Sequence, residues 1–467
     1  MKADVVIVGG GVNGLTAACV LAGEGLEVVV LEQNPLPGGL AGGGPGFPLS
    51  LFAYAIGLVP EEVLRVLGVT DEFKLILHKP DPSWVELDED GEVVFRWWRK
   101  VEDLEGEAKS HGLEGLPELI RLAGRFWRCY KRLGLYYTPS PPSPEDAASK
   151  LDSCDSDAAV FVEERASKIM SRYLPYWAWG LILYPSMYRS NGFSLAYYLQ
   201  NSNVWDQPIG GMGKVANLLE ECAERRGAKL LFGERVERLI FEHDRVAGVE
   251  TGSGRRVYGR AILYTPPLYT LPSLEGGDRL EEQEIRLLRR ASSFKLDVTR
   301  VDYILRRNPS LPVEKRWRGS PILVYWTAKG GGEYTYPHTY TPSIPPIVQG
   351  SGGIQNPLDP LPPGVNEEDI MLFTIRRRAE QERCCGNSTG HPDHIPMIDP
   401  YIMNKRPIPG WGNYRTSLQG LYHGSASSYP GGEVNLVAGV NAALRILTDL
   451  GYPGRAYTIV KKLTSTA

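Results

Sequence analysis

The first 32 residues constrain this chain more than any other stretch. Val5-Val6-Ile7-Val8 is a continuous apolar run, the pattern of a parallel strand buried on both faces. Gly9-x-Gly11-x-x-Gly14 follows at once, and Leu15 to Gly23, rich in Ala and Leu, predicts a helix. Glu27 to Leu31 reads as a second buried strand, closed by Glu32. Strand, helix and strand make a βαβ unit with the helix between two adjacent parallel strands. The chain therefore opens as an α/β protein.

The spacing points to a dinucleotide. Gly9 permits the tight turn, Gly11 lets the backbone approach a pyrophosphate, and Gly14 lets the helix pack on the strand. Unpaired N–H groups at the helix start, around Val12, Asn13 and Leu15, supply a positive pole for the diphosphate. Glu32, 18 residues after Gly14, stands where a carboxylate accepts hydrogen bonds from ribose hydroxyls. It would repel a 2′-phosphate, and neighbouring Gln33 and Asn34 carry no positive charge, so NADP is disfavoured. FAD fits better than NAD. Pro35-Leu36-Pro37-Gly38-Gly39-Leu40 offers a second place where backbone lies flat against a long ligand. Near the other end, Ser428-Tyr429-Pro430-Gly431-Gly432-Glu433-Val434 reads as a tight turn opening a helix over Glu433 to Leu450. A helix start there suits the negative charge that builds on a reduced flavin.

Composition narrows the class. With 467 residues, 51 basic and 55 acidic, the net charge is −4, which argues against a nucleic-acid footprint. The longest uncharged aromatic-apolar run, Tyr173 to Pro185, has 13 residues, short of the ~20 needed to span a bilayer. Strand residues begin at Ala3 and leave no room for a signal peptide. Cys19, Cys129, Cys154, Cys222, Cys384 and Cys385 are too scattered for a disulfide framework, so unpaired thiols in a reducing cytoplasm are expected. Cys384-Cys385 with His391 and His394 misses the usual zinc spacings, and no metal is expected.

Further along, Glu86 to Trp97 reads as a hairpin around Asp90-Gly91, and 113–135 as a helix. Residues 158–200 predict helices broken at Pro175 and Pro185. Helix 214–226, strands at 229–232, 236–241 and 261–264, and a strand from Lys295 to Leu305 follow. Residues 330–364, loaded with Gly, Pro and Tyr, read as an irregular excursion. The expected fold is a Rossmann-like FAD-binding domain assembled from 1–80, 205–275 and 395–467. An α+β substrate domain, 81–204 and 276–394, is inserted into it.

The chain resembles the FAD-dependent amine-oxidase-like flavoproteins, in their phytoene-desaturase-related branch. The resemblance rests on GGGVNGL (9–15), the run from Glu32 to Gly39, PIGGMGKVANLL (208–219), GERVERLI (233–240), RPIPGWGNYRT (406–416) and GLYHGSASSYPGGEV (420–434). It implies that Val236 meets the adenine through its backbone. It also implies that the 424–434 loop, with Ser425, Pro430, Gly431, Gly432, Glu433 and Val434, borders the isoalloxazine. Relatives usually have glycines at Ser425 and Ser427, His at Tyr429, Gly at Glu433, and a basic residue soon after the ribose acid. Lys295 in FKLDVT is similar to a strand lysine that holds a water at flavin N5; the alternative is a solvent-facing lysine. Tyr429 and Glu433 are candidates to orient or protonate substrate, against packing and helix-start roles. His394 falls where relatives carry a histidine.

Eight Tyr and Trp between Tyr173 and Tyr198 suggest an aromatic pocket wall or mouth, with a packed core as the alternative. The expected activity moves a hydride between an elongated, largely apolar, isoprenoid- or lipid-like substrate and flavin N5. O2 or a quinone-like acceptor reoxidises the flavin, and contact with a membrane surface stays open. The alternatives are a flavin-dependent isomerase or saturase, an amine oxidase, and a non-catalytic isoprenoid-binding chaperone. Oligomeric state is not legible.

Overall fold

The structure is a computed structural model. It describes residues 1–465 apart from 44–49, 89, 201–203, 297, 310–321, 328–334, 342–345, 353–357 and 359–360. The opening unit forms as its spacing predicts: β1 (Lys2–Val8), α1 (Val12–Gly23) and β2 (Val28–Glu32). β1 pairs in parallel with β2 on one side, Val5 opposite Val28, and with strand Arg256–Tyr264 on the other, Val5 opposite Ala261. Lys229–Phe232 extends the sheet beyond β2, and Leu421–His423 lies parallel to the end of Arg256–Tyr264. Two antiparallel strands, Arg245–Thr251 and Val236–Glu242, complete it.

Every residue of α1 from Val12 to Ala22 is buried. A helix that is apolar all round needs cover on several sides. Gly213–Arg225 and Val437–Asp449 pack against it and supply that cover. All strands of this sheet come from 1–80, 205–275 and 395–467.

A second seven-stranded sheet takes all its strands from 81–204 and 276–394. Its order is Ile370–Arg376, Thr299–Leu305, Ile347–Gly352, Thr335–Thr341, Ile322–Thr327, Trp84–Leu87 and Val93–Trp97. Every pairing is antiparallel except Ile322–Thr327 with Trp84–Leu87. Val85 and Leu87 join one apolar cluster while Trp84 joins the other, the alternation a pleated strand imposes. The predicted helix at 113–135 is Gly115–Arg132.

Four expectations need correction. The 330–364 segment holds two strands, Thr335–Thr341 and Ile347–Gly352, because cross-strand pairing satisfies a backbone that its Gly and Pro content had suggested was irregular. The strand expected from Lys295 starts at Thr299. The helix expected from Glu433 starts at Val437, where Asn435 Oδ1 accepts from the Val437 N–H at 2.8 Å. The cysteines are paired: Cys19–Cys222, Cys129–Cys154 and Cys384–Cys385, with Cα separations of 5.6, 6.0 and 3.8 Å. Packing of α1 on Gly213–Arg225 brings together two of these cysteines 203 positions apart. The thiols thus lend no support to a reducing compartment.

Candidate cofactor and substrate site

The cradle begins where β1 ends. Gly9 has φ +98°, a left-handed value that favours glycine, and its N–H donates to Leu31 O at 2.8 Å. A Cβ on Gly14 would collide with the Gly9 carbonyl, so only glycine lets α1 approach the turn this closely. Gly11 is different. Its φ of −70° and ψ of 170° suit any residue, and an added Cβ would meet nothing within 4 Å. The protein itself does not require glycine there; the space in front of it does. Asn13 lines the same space, and its buried Oδ1 has no hydrogen-bond partner.

Glu32 is 5% exposed. Its Oε2 accepts from the Gly10 N–H at 2.7 Å, and its Oε1 from the Asn34 N–H and Nδ2, each at 2.8 Å. Burial pushes the carboxyl above the ordinary range, and those donors pull it back. Oε2 takes one of the two donors it has room for, which leaves capacity for a ribose hydroxyl. Gln33 and Asn34 donate to Cys384 O at 2.5 and 2.8 Å. They tie the end of helix Arg378–Cys385 to this part of the site.

One cavity of about 1830 Å³ runs from this cradle. Ordinary ligand pockets hold roughly 300–1,000 Å³, so there is room for a dinucleotide and a second molecule. Gly9, Gly11, Val12, Asn13, Gly14, Glu32, Gly38, Gly39, Leu40 and Val236, all expected to bind cofactor, line it. Tyr176, Trp177, Tyr184, Tyr188 and Tyr198 line another part, whereas Tyr173, Trp179 and Tyr197 of the same run do not. Tyr176 and Trp177 are 74% and 64% exposed, which makes them an aromatic rim.

The carboxy-terminal loop divides. Val434 and Glu433, the latter at φ +56°, line the cavity together with Ala426. Ser425, Pro430, Gly431 and Gly432 stand behind that wall. A Cβ on Gly431 would press on Met397 Sδ at 2.5 Å, and one on Gly432 would collide with Asp393, so these glycines serve packing. Tyr429 is fully buried, its hydroxyl bonded to Leu135 O at 2.8 Å and to the Tyr130 hydroxyl at 2.9 Å. It packs and does not face the cavity. Lys295 also lies off the cavity: it is exposed, and its Nζ reaches Ser388 O at 3.4 Å, while Leu296 and Val298 line the wall.

His394 does line the cavity. Its buried Nδ1 has no partner, and burial, reinforced by the nearby Arg406 guanidinium, lowers its pKa to about 3, so the imidazole is neutral. Arg406, fully buried, explains the RPIPGWG motif. Its guanidinium donates to Asp393, Ile395 and Tyr401 carbonyls on one side and to Ala426 and Ser428 carbonyls on the other, at 2.9 to 3.2 Å. One side chain thus joins the two loops that carry His394 and Ala426 to the cavity. Sequence reading missed this clamp, and it missed Tyr198 donating to Asp393 Oδ2 at 2.7 Å. It also missed Trp84 and Glu86, whose i, i+2 spacing on one strand was the available signal.

These features fit FAD. The open space before Gly11, the orphaned Asn13 oxygen and the oriented Glu32 carboxylate are what a dinucleotide needs. Residues 4–134 match the family described as FAD dependent oxidoreductase. The zeta-carotene-forming phytoene desaturase of Myxococcus xanthus is 28% identical over 56% of this chain and 52% of its own length. The chloroplastic prolycopene isomerase of Arabidopsis thaliana is 23% identical over 60% of this chain and 50% of its own. The chain spans about half the length of these curated relatives. Among solved structures, cyclohexylamine oxidase from Brevibacterium oxydans IH-35A covers 99% of the chain, and the chain all of it, at TM-score 0.54 and 17% identity. Residues 4–134 thus resemble an FAD-dependent oxidoreductase domain, the fold is Rossmann-like, and the cofactor is FAD. Proteins named phytoene desaturase and prolycopene isomerase are among those it is similar to.

Proposed function

We propose that the protein is an FAD-dependent oxidoreductase acting on an elongated, largely apolar substrate of the isoprenoid or lipid type. The observation that carries this reading is the single cavity joining the dinucleotide cradle to an aromatic arm. Bound FAD supplies a hydride acceptor at N5, with O2 or a quinone-like acceptor as the proposed oxidant. The chain's own part is positional. Gly11 and α1 would hold the diphosphate and Glu32 the ribose, and Arg406 fixes the two loops that bring His394 and Ala426 to the cavity. Leu181, Ile182 and Leu183 with Tyr184 and Tyr188 give an apolar wall suited to hydrocarbon, where each 100 Å² buried contributes about 2.5 kcal/mol. His394, held neutral, offers an unpartnered ring nitrogen for a hydrogen bond and adds no charge to the cavity. The exposed Tyr176 and Trp177 at the rim suit collection of such a substrate from a membrane surface. No helix among the described residues is long and apolar enough to cross a membrane.

Relatives named isomerase favour a second reading, in which the flavin cycles without net oxidation of the substrate. Anaerobic mixing with apolar polyenes, alkenes and aldehydes, beside primary and secondary amines, separates the cases. Bleaching of the flavin by an apolar member, slowed by Trp177→Ala, supports oxidation. Double-bond rearrangement without lasting bleaching supports isomerisation. Bleaching by amines alone, indifferent to Trp177→Ala, refutes the apolar assignment.

A further inference from the structure

One acid of the cavity stands on a strand of the second sheet. Strand Trp84–Leu87 turns Trp84 and Glu86 to the cavity and Val85 and Leu87 to the opposite apolar cluster. Trp84 stacks on Trp97 of the neighbouring strand, centroids 4.7 Å apart and planes 13° from parallel. Trp205, held by its N–H donating to Ser83 Oγ at 2.6 Å, lines the same region. Within this indole-rich wall the Glu86 carboxyl accepts one hydrogen bond, from Trp97 Nε1 to Oε1 at 3.3 Å. Among the described residues no Lys or Arg pairs with it.

We propose that Glu86 is a specificity-determining residue that receives the hydrogen-bond-donating end, hydroxyl or ammonium, of an otherwise apolar substrate. A carboxyl facing an apolar cavity without a counter-charge is costly to keep, and a ligand that brings a donor supplies the missing partner. Desolvation raises its pKa to about 7, opposed by the Trp97 indole and by His111. The group is then ready to accept from either head. The stacked indoles beside it suit an ammonium by cation–π attraction and a hydroxyl-bearing chain by burial. An anionic head is repelled wherever the pH leaves the carboxyl ionised. The inference rests on the apolar-substrate reading and adds polarity at one end of that substrate.

The test is anaerobic titration calorimetry on the FAD-loaded protein. Four ligands share one long hydrocarbon chain and differ in the head: methyl, primary alcohol, primary amine and carboxylate. Wild type is expected to bind the alcohol or the amine about tenfold to a hundredfold more tightly than the methyl and carboxylate forms. Glu86→Leu should abolish that preference while leaving the visible spectrum of bound FAD unchanged. Glu86→Gln tells the heads apart: it retains preference for a hydroxyl, which an amide accepts, and loses preference for an ammonium. Equal binding of all four heads by wild type, or a preference that survives Glu86→Leu, overturns the assignment of Glu86 alone. Failure of every ligand to bind wild type, the methyl form included, overturns the apolar-substrate reading and this inference with it.

Discussion

Gly11 and Gly14 belong to one motif, yet the structure gives them opposite sensitivities. Replacing Gly11 with Val puts its methyl groups where an added Cβ meets nothing within 4 Å, at a backbone angle any residue adopts. Gly11 is also the N-cap of α1, where exchanging a preferred residue for an aliphatic one costs about 1 kcal/mol. The apoprotein should therefore fold and lose about that much. The bound state should fail, because the same space admits the pyrophosphate. With FAD at 100 times its Kd, wild type gains about 2.7 kcal/mol of stability, and at 1,000 times about 4.1. Gly14→Ala is the contrast. Its Cβ collides with the Gly9 carbonyl and comes within 3.0 Å of Thr265 Oγ1, so the apoprotein itself should lose about 1–3 kcal/mol through overpacking. Thermal unfolding of apoprotein with and without added FAD, beside the 450 nm absorbance surviving gel filtration, measures both effects. Gly11→Val should show a near-normal apo transition that FAD does not move. Stoichiometric FAD in Gly11→Val, or an apo loss as large as that of Gly14→Ala, would refute the placement of the cofactor in front of Gly11.

Arg406→Met should cost at least about 3 kcal/mol in chemical denaturation, because it strips donors from buried carbonyls of two loops. Arg406→Lys should rescue little of this, since an ammonium cannot reproduce the guanidinium's planar fork; full recovery with Lys would dismiss the clamp. Glu86→Gln should alter the pH dependence of stability. Below about pH 4.5 the wild-type carboxyl is protonated in both states; between there and about 7 only the unfolded chain ionises, so wild-type stability falls as pH rises and then levels. That share approaches about 3 kcal/mol at ~1.4 kcal/mol per tenfold change in proton affinity, and the Gln variant lacks it. Identical slopes for the two proteins from pH 5 to pH 8 would place Glu86 in a wetter site than the one described. Lys295→Met should leave both FAD content and anaerobic half-reaction rates unchanged, because its ammonium is exposed and off the cavity; a large rate change in stopped flow would bring it back to the flavin.

What the sequence determined by itself lies within short chain distances. The turn at Gly9, the helix beginning at Val12 and the acid at Glu32 contact one another across fewer than 30 positions, so their spacing carries their geometry. The same holds for the hairpin of Trp84–Leu87 and Val93–Trp97, whose Asp90-Gly91 turn lies between them. What only the tertiary structure decided depends on partners far away in the chain. Thr335–Thr341 and Ile347–Gly352 pair into the second sheet because strands Thr299–Leu305 and Ile322–Thr327 offer open edges, and no local pattern announces those edges. Cys19 meets Cys222 only because two helices pack together. Loop glycines 431 and 432, which read as places for a flavin to approach, instead make room for Tyr197, Met397 and Asp393, contributed by other segments. Glu86 looks like any strand carboxylate in the chain. Assembly withdraws it from much of its water, sets Trp84 and Trp97 beside it, and leaves it facing a cavity that no single segment encloses. Local hydrogen bonding and periodicity are written in neighbouring residues, whereas desolvation is a property of everything that packs around a group.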